Sequence, residues 1–514
     1  MRKIAALCLV GLLLACTATY AQDEPAPEVL KLGIIHTNDI HGHVLPFAFQ
    51  GEEDWGGAAR LAAAIAEVRA DQEYHWLLLD AGDAGPGLPV SDEQRWLPVL
   101  DCMNRIGYDA MCTGNGEFSW GYAQARDYLS AAEFPVLCAN IAIAESGVPA
   151  FPPYAVFQRG PYRIGVIGLV RESFSQDLYY KLGHQVRFCP VEPVATSLAY
   201  YLRWIGCDVI IALTHQGYIY DLQMAKSVPE LNVIVGGHSH TFVQRPERIG
   251  QVLVTQDGEW AKSLGVLKLE FTRPDPAARF SLSDYSEEFI PLGPDMPADV
   301  EMAELMESYR QRFEQAMGEV ICTNAHEVAV DSVRYEENAF ADQVADAFLE
   351  ISGADCVLFT GGNFQAGLPA GEVTLGDFVT AIPLDHLLLL IEVDGATLRG
   401  MLDWAGTQFG GGFPQVAGLR LHYVDAQLTA ATVNGQAIDD EAGYSVLVID
   451  YLACNVAGLP LREDPLGPAA TGLKQRSAFI DWARERQALQ MSTDGRVVFE
   501  WVEIDPFARD EPEE

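Results

Sequence analysis

Short apolar runs that end in glycine-rich turns recur through the first half of the chain, and most of these turns carry aspartate, asparagine or histidine. The runs are residues 30–35, 76–79, 135–137, 164–170, 209–213 and 233–235. They are short and almost uniformly apolar, as strands buried on both faces are. Helix-like segments lie between them at residues 58–70, 97–106 and 194–205. This alternation predicts an α/β domain with largely buried sheets. In such sheets, sites gather beyond the carboxyl ends of the strands. Glycines 82, 85, 114, 217, 236 and 237 let the backbone turn sharply there.

Seven side chains in those turns form one chemical set. Asp39 and His41 stand in TNDIHGH, Asp83 in DAGD, Asn115 in TGNGEF, His215 in LTHQG, and His238 and His240 in GGHSH. A histidine on an apolar strand is ordinarily a core residue, and GHSH or DxH alone is a weak signal. Five clusters in this order are specific. The mixture of carboxylate, amide and imidazole suits Mn, Zn, Fe or Co better than Ca or Mg. Two ions roughly 3.5–4 Å apart need a bridging carboxylate. Asp83, alone on a glycine-flanked turn, is the expected bridge. Two such ions supply a metal-bridging hydroxide as nucleophile and neutralise an attacked anion.

The chain has 514 residues and a formal net charge of −39. That balance argues against a nucleic-acid partner, which calls for a basic face. It leaves open a small anionic substrate, because bound divalent ions reverse the local field. Met1-Arg2-Lys3 followed by an apolar stretch at residues 4–15 reads as a signal peptide, ending at residue 21. Leu13-Leu14-Ala15-Cys16 also resembles a lipobox, which would end the signal at residue 15 and put a lipid anchor on Cys16. Either places the protein in the periplasm or outside the cell. No later stretch is long and apolar enough for a transmembrane helix. The remaining cysteines are scattered without a CxxC pair and read as small buried hydrophobes.

The expected organisation is a metal-binding domain over residues 30–290, a linker with a long polar helix over 291–325, and a smaller α/β domain over 326–505. In the last, residues 340–351 read as a helix, and 356–359 and 387–393 as strands.

These motifs resemble the 5′-nucleotidase family, UDP-sugar hydrolases and 2′,3′-cyclic phosphodiesterases included, within the calcineurin-like metallophosphoesterases. The likeness covers almost the whole chain after the signal. It implies a four-layer αββα-type metallophosphoesterase domain followed by a 5′-nucleotidase C-terminal domain that binds substrate. It implies one ion on Asp39, His41, Asp83 and His240, and a second on Asp83, Asn115, His215 and His238. Asp83 and Asn115 would serve catalysis directly.

The departures matter as much. The family has a histidine after the asparagine ligand and an aspartate three residues on; here these are Gly116 and Ser119. Losing a donor of this kind costs ~10²–10³ in rate. A phosphate-gripping arginine corresponds to Gln365, which has no charged fork; Asn363, Gln365 and Tyr451 are the expected substrate contacts. One base-stacking aromatic corresponds to Leu384, the other to Tyr451, and a loop aspartate to Ala457. The expected function is an extracytoplasmic dinuclear phosphoester hydrolase, 5′-nucleotidase-like and without the dyad. The alternatives are a metal-loaded binding protein with little turnover and a thiosulfohydrolase-like enzyme. On this reading, restoring histidine and aspartate at 116 and 119 raises activity.

Overall fold

The computed structural model describes residues 27–172, 185–408, 412–455 and 469–501. The predicted signal segment, Cys16 and Ala457 lie outside the described residues. The first domain contains strands β1 (Glu28–Thr37), β2 (His75–Asp80), β3 (Ala110–Cys112), β4 (Val136–Leu137), β5 (Tyr154–Arg159), β6 (Tyr162–Val170), β7 (Val209–His215), β8 (Val233–Gly236), β9 (Glu247–Ile249), β10 (Val252–Thr255), β11 (Ser263–Arg273) and β12 (Ser281–Pro291). Its principal helices are α1 (Ala58–Arg69), α2 (Leu97–Ile106), α3 (Val191–Trp204) and α4 (Tyr218–Ser227).

Two six-stranded sheets form, in the orders β12-β11-β1-β2-β3-β4 and β9-β10-β8-β7-β6-β5. The β1, β2, β3 and β4 pairings are parallel, as are those among β6, β7, β8 and β10. Alternation along the strands assigns side chains to layers. Leu30, Leu32 and Ile34 of β1 meet Ile164, Val166, Ile211 and Val235 in one core between the sheets. Helices α1 and α2 cover the first sheet, with Leu61, Ile65, Val99 and Met103 buried. Helices α3 and α4 cover the second through Ala195, Ala199, Leu202 and Met224. The result is the four-layer αββα arrangement.

The long polar helix, α5 (Val300–Met317), is packed rather than free. Met302, Met306 and Tyr309 insert into the core of the helical layer over the first sheet. Asp299 caps its first turn by accepting from the Met302 amide. Beyond it, α6 (Ala339–Ser352) packs on a five-stranded mixed sheet, containing β13 (Cys356–Thr360), β14 (Leu387–Asp394), β15 (Pro414–Ala417), β16 (Gly443–Ile449) and β17 (Ala469–Lys474) in the order β15-β13-β16-β14-β17. This second unit has its own core, with Phe340, Phe348, Phe359 and Phe378 buried. Cys102, Cys112, Cys138, Cys189, Cys207, Cys322 and Cys356 are free thiols, and six of the seven are buried. Among the described residues, no helix is long and apolar enough to cross a membrane.

Candidate metal centre

All seven candidate ligands lie at the carboxyl ends of parallel strands. Asp39 and His41 follow β1, Asp83 follows β2 and Asn115 follows β3. His215 ends β7, and His238 and His240 follow β8. The first three strands belong to one sheet and the last two to the other, so the cluster spans the seam between the sheets.

Five of these residues hold left-handed backbone: Asp39 (φ 51°), His41 (50°), Asp83 (54°), His238 (80°) and His240 (51°). Each such residue costs on the order of 1–3 kcal/mol and persists only where its surroundings over-determine it. Here the loops after β1 and β2 are zipped together. The Asp39 amide donates to the Gly82 carbonyl at 2.9 Å, and the His41 amide to the Asp83 carbonyl at 2.9 Å. A Cβ at Gly237 would lie 2.7 Å from the Ala81 carbonyl oxygen and 2.8 Å from His215 Nδ1, so only glycine fits there.

The histidines are oriented by their outer nitrogens. His215 Nδ1 donates to the Ala81 carbonyl at 2.7 Å, and His41 Nδ1 donates to that of Pro86 at 2.9 Å. His240 Nδ1 pairs with Glu259. Each of these rings therefore turns Nε2 inward, where the neutral imidazole would offer it to a ligand bond, as outer-shell partners of metal histidines do. Asp39 Oδ1 lies 3.2 Å from His240 Nε2 and 3.8 Å from both His41 Nε2 and His215 Nε2. Asp83 Oδ2 lies 3.3 Å from His215 Nε2 and 3.8 Å from His41 Nε2, reaching one histidine of each predicted set. His238 Nδ1 and Asn115 Oδ1 are 2.6 Å apart.

Two groups of ligand atoms converge within 4.8 Å: Asp39, His41 and His240, and Asp39, Asp83 and His215. His215 Nε2 is buried with no hydrogen-bond partner, and a divalent ion between it and the two carboxylates fits that gap. Charge tells the same story. Burial alone would raise Asp83, yet the facing His215 and His41 hold its carboxyl below the usual range. Burial opposes protonation of His215, but Asp83 and Asp39 raise it. A third acidic group, Glu337, Asp342 and Asp494, surrounds Arg496, which ion-pairs with Asp494 at 3.1 Å and lies 3.5 Å from Asp342.

Two nearby residues escaped sequence reasoning. Glu117 is buried and accepts from the amides of Asp83 (3.0 Å), Ala84 (3.0 Å) and Gly114 (2.7 Å), clamping the loops after β2 and β3. Its position one residue past Gly116 was the available signal. Arg171, at the end of β6, places Nη1 3.1 Å from His238 Nε2. Nothing local in the sequence pairs these two residues, which are 67 positions apart.

Gly116 is tightly enclosed. Its amide donates to Asp83 Oδ1 at 2.6 Å. A Cβ here would lie 2.7 Å from Pro86 Cγ and 2.9 Å from Asp83 Oδ1. Restoring a histidine is therefore a different matter from what the sequence suggests, because Pro86 closes on the space beside Asp83.

The cluster opens into a 430 Å³ cavity. His41, Asp83, Asn115 and Ser119 line one side, and Leu384, His386 and Arg476 of the second unit line the other. Asn363 does not reach it as a free contact. Its amide donates to the Leu384 carbonyl (2.6 Å) and Gln475 Oε1 (2.8 Å), and its oxygen accepts from the Leu384 amide (3.2 Å), so it anchors the Pro383–Leu384 turn. Gln365 donates to the Gly362 carbonyl at 2.6 Å and accepts from Arg334 at 3.3 Å. Tyr451 is half exposed, its ring 6.3 Å from that of His386.

Comparison with known proteins agrees with this architecture. Residues 32–242 match the calcineurin-like phosphoesterase family, and residues 317–461 match the 5′-nucleotidase C-terminal domain. The chain is 25% identical to a 5′-nucleotidase of Vibrio cholerae, covering 96% of this chain and 97% of that one. It is 24% identical to Protein UshA of Escherichia coli over the same shares. The crystal structure of a 5′-nucleotidase precursor from Thermus thermophilus superposes with a TM-score of 0.57 and 28% identity, over 91% of this chain and 99% of that one. A calcineurin-like phosphoesterase domain joined to a 5′-nucleotidase C-terminal domain makes this chain a hydrolase of the 5′-nucleotidase family of metallophosphoesterases.

Proposed function

We propose that the chain is an extracytoplasmic dinuclear metallohydrolase of small phosphoesters, 5′-nucleotidase-like, that operates without the histidine–aspartate dyad. One observation supports the reading: ligand atoms of Asp39, His41, Asp83, His215 and His240 converge across two sheets, with buried His215 Nε2 facing the carboxylates of Asp83 and Asp39 at 3.3 and 3.8 Å. Asp39, His41, Asp83 and His240 would hold one ion, and Asp83, Asn115, His215 and His238 the other. The donor set suits Mn, Zn, Fe or Co. Bound there, such ions supply an activated water and offset the charge of a phosphoryl group.

The protein's own part is positioning. The Ala81 and Pro86 carbonyls and Glu259 fix the ligand imidazoles. Glu117 fixes the loop that carries Asp83. The cavity confines the rest of the substrate against Leu384, His386 and Arg476. With glycine and serine at 116 and 119, no imidazole at that place assists departure of the leaving oxygen. Substrates with good leaving groups should therefore turn over fastest. Export follows from the signal-like residues, either 1–21 or, with Cys16 as the lipid anchor, 1–15.

The test is a joint measurement of bound metal and hydrolysis on the chain and on Asp83→Asn. AMP, UDP-glucose, 2′,3′-cyclic AMP, bis-p-nitrophenyl phosphate and an S-sulfonate would be screened. Two ions per chain, with turnover that vanishes in the variant, is the expected result. Two ions with no turnover of any substrate would make this a binding protein instead.

A further inference from the structure

Helix α3 presents three large aromatic side chains to solvent. Trp204 is 80% exposed, Tyr200 56% and Tyr201 40%. Positions 200 and 201 lie four and three residues before 204, so all three converge on one side of the helix. The rings of Tyr201 and Trp204 are 6.0 Å apart, and Tyr154 of β5 extends the patch, 5.6 Å from Tyr201. The core needs none of the three helix rings, because Ala195, Ala199 and Leu202 make the helix's contact with the sheet; Tyr154 is partly buried against that core. Contiguous exposed aromatics of this kind mark an interaction surface.

The patch lies at a defined end of the domain. Arg163, at the start of β6, donates to the Ile205 carbonyl just after α3. The beginning of β1 is in the same place: Glu28 pairs with Arg273 at 2.8 Å, and Arg273 reaches Asp208 at 3.5 Å, four residues past Trp204. Tyr162 donates to the Val29 carbonyl at 3.2 Å. These are the amino ends of β1, β6 and β7, whereas the metal ligands lie beyond the carboxyl ends of the parallel strands. The chain therefore enters the domain at the aromatic end and opens its candidate site at the other.

We infer that this aromatic face docks on the headgroup layer of a zwitterionic phospholipid bilayer, with the metal centre turned away from it. The inference rests on the proposed export and on Cys16 as the anchor. Cys16 precedes the first described residue, Pro27, by eleven positions, a tether of at most about 36–40 Å. Such a tether keeps this end of the domain next to the bilayer. Tyrosine and tryptophan, apolar in body and polar at one end, settle at headgroup depth. The net charge of −39 disfavours anionic lipid and leaves a zwitterionic surface as the partner.

The experiment compares the full chain with Trp204→Phe on phosphatidylethanolamine–phosphatidylcholine vesicles carrying brominated acyl chains. The expected result is tryptophan quenching in the parent that is missing from the variant. Equal quenching in the two overturns the inference. A second pair, Cys16→Ser with and without Tyr200→Ser and Tyr201→Ser, measures flotation free of any lipid anchor. About a tenfold fall in the vesicle-bound fraction is expected, and unchanged flotation overturns the inference. Loss of self-association on sedimentation, or of polysaccharide binding, with no change on vesicles would assign the patch to a second copy or to a glycan instead. Hydrolysis and metal content measured on the same proteins keep the two readings apart, because the patch is remote from the site. Turnover intact with no vesicle effect rejects the docking alone; vesicle docking with no turnover rejects only the phosphoesterase reading.

Discussion

A single methyl group at position 116 should disturb the metal centre, and the size of the effect follows from the packing. The added Cβ in Gly116→Ala would meet Pro86 Cγ at 2.7 Å and Asp83 Oδ1 at 2.9 Å. Optimal carbon contacts are ~3.5–4.0 Å, so the overlap with Pro86 is close to an ångström. Overpacking of this kind typically costs about 1–3 kcal/mol. Asp83 is among the groups that must yield, and it is the expected bridge. If the whole cost falls on the metal-bound form, ion affinity drops roughly 5- to 150-fold. Competition with a fluorescent chelator measures this directly. Pro86→Ala removes the Cγ, so the double variant Pro86→Ala/Gly116→Ala should recover part of the loss. The same geometry predicts that Gly116→His/Ser119→Asp fails to raise kcat/KM while Pro86 is in place, and gains only when Pro86 is removed as well. Unchanged ion affinity in Gly116→Ala, or a gain in kcat/KM from the double change with Pro86 intact, would refute the reasoning.

Glu117→Ala leaves four buried amides without an acceptor; at about 1 kcal/mol or more each it should cost at least about 4 kcal/mol and lower Tm by roughly 8 °C or more, read by calorimetry. Burial and the facing Glu337 raise the Asp342 carboxyl to about 8, well above its unfolded value. The native state then holds a proton the unfolded chain has lost, so this contribution is full below about pH 4 and disappears as pH rises toward 8. Asp342→Asn should flatten that slope in urea midpoints measured at pH 5 and pH 8, and an unchanged slope would count against it. Adding Mn²⁺ or Zn²⁺ at about 100 times its Kd should stabilise the chelator-stripped protein by about 2.7 kcal/mol, visible as a rise in Tm that Asp83→Asn abolishes.

Much of this centre was legible because its candidate ligands sit in turns that immediately follow apolar runs. The run at 76–79 and DAGD placed Asp83 correctly at the end of β2, and the run at 209–213 needed only two more residues to end at His215. Helix α2 matched its predicted span, since its apolar positions repeat at helical spacing. What stayed hidden depends on contacts between distant segments. The antiparallel pair β11–β12 alternates polar and apolar residues on a half-exposed edge, and β12 carries little apolar signal of its own. Asn363 sits where a substrate contact was expected, yet its amide is fully engaged by a neighbouring turn. The closeness of Pro86 to Gly116 spans 30 positions, and no local pattern announces it. Left-handed backbone at aspartate and histidine is equally silent, because glycine is the residue that usually signals it.

The position of the ligands across the seam has a mechanical consequence. Three strands of one sheet and two of the other end in this cluster, where the Asp39 and Asp83 carboxylates converge beside the buried imidazole of His215. Bound ions would act as rivets, adding to the apolar core and the few polar cross-links, such as His215 to the Ala81 carbonyl and Arg273 to Asp208, that already join the two layers. A chain whose turnover declined could still be selected to keep every rivet, because loss of one would loosen the whole domain. On the proposed function, with seven candidate ligands kept and Gly116 and Ser119 in place of a dyad, fastening and chemistry would be divided in this way.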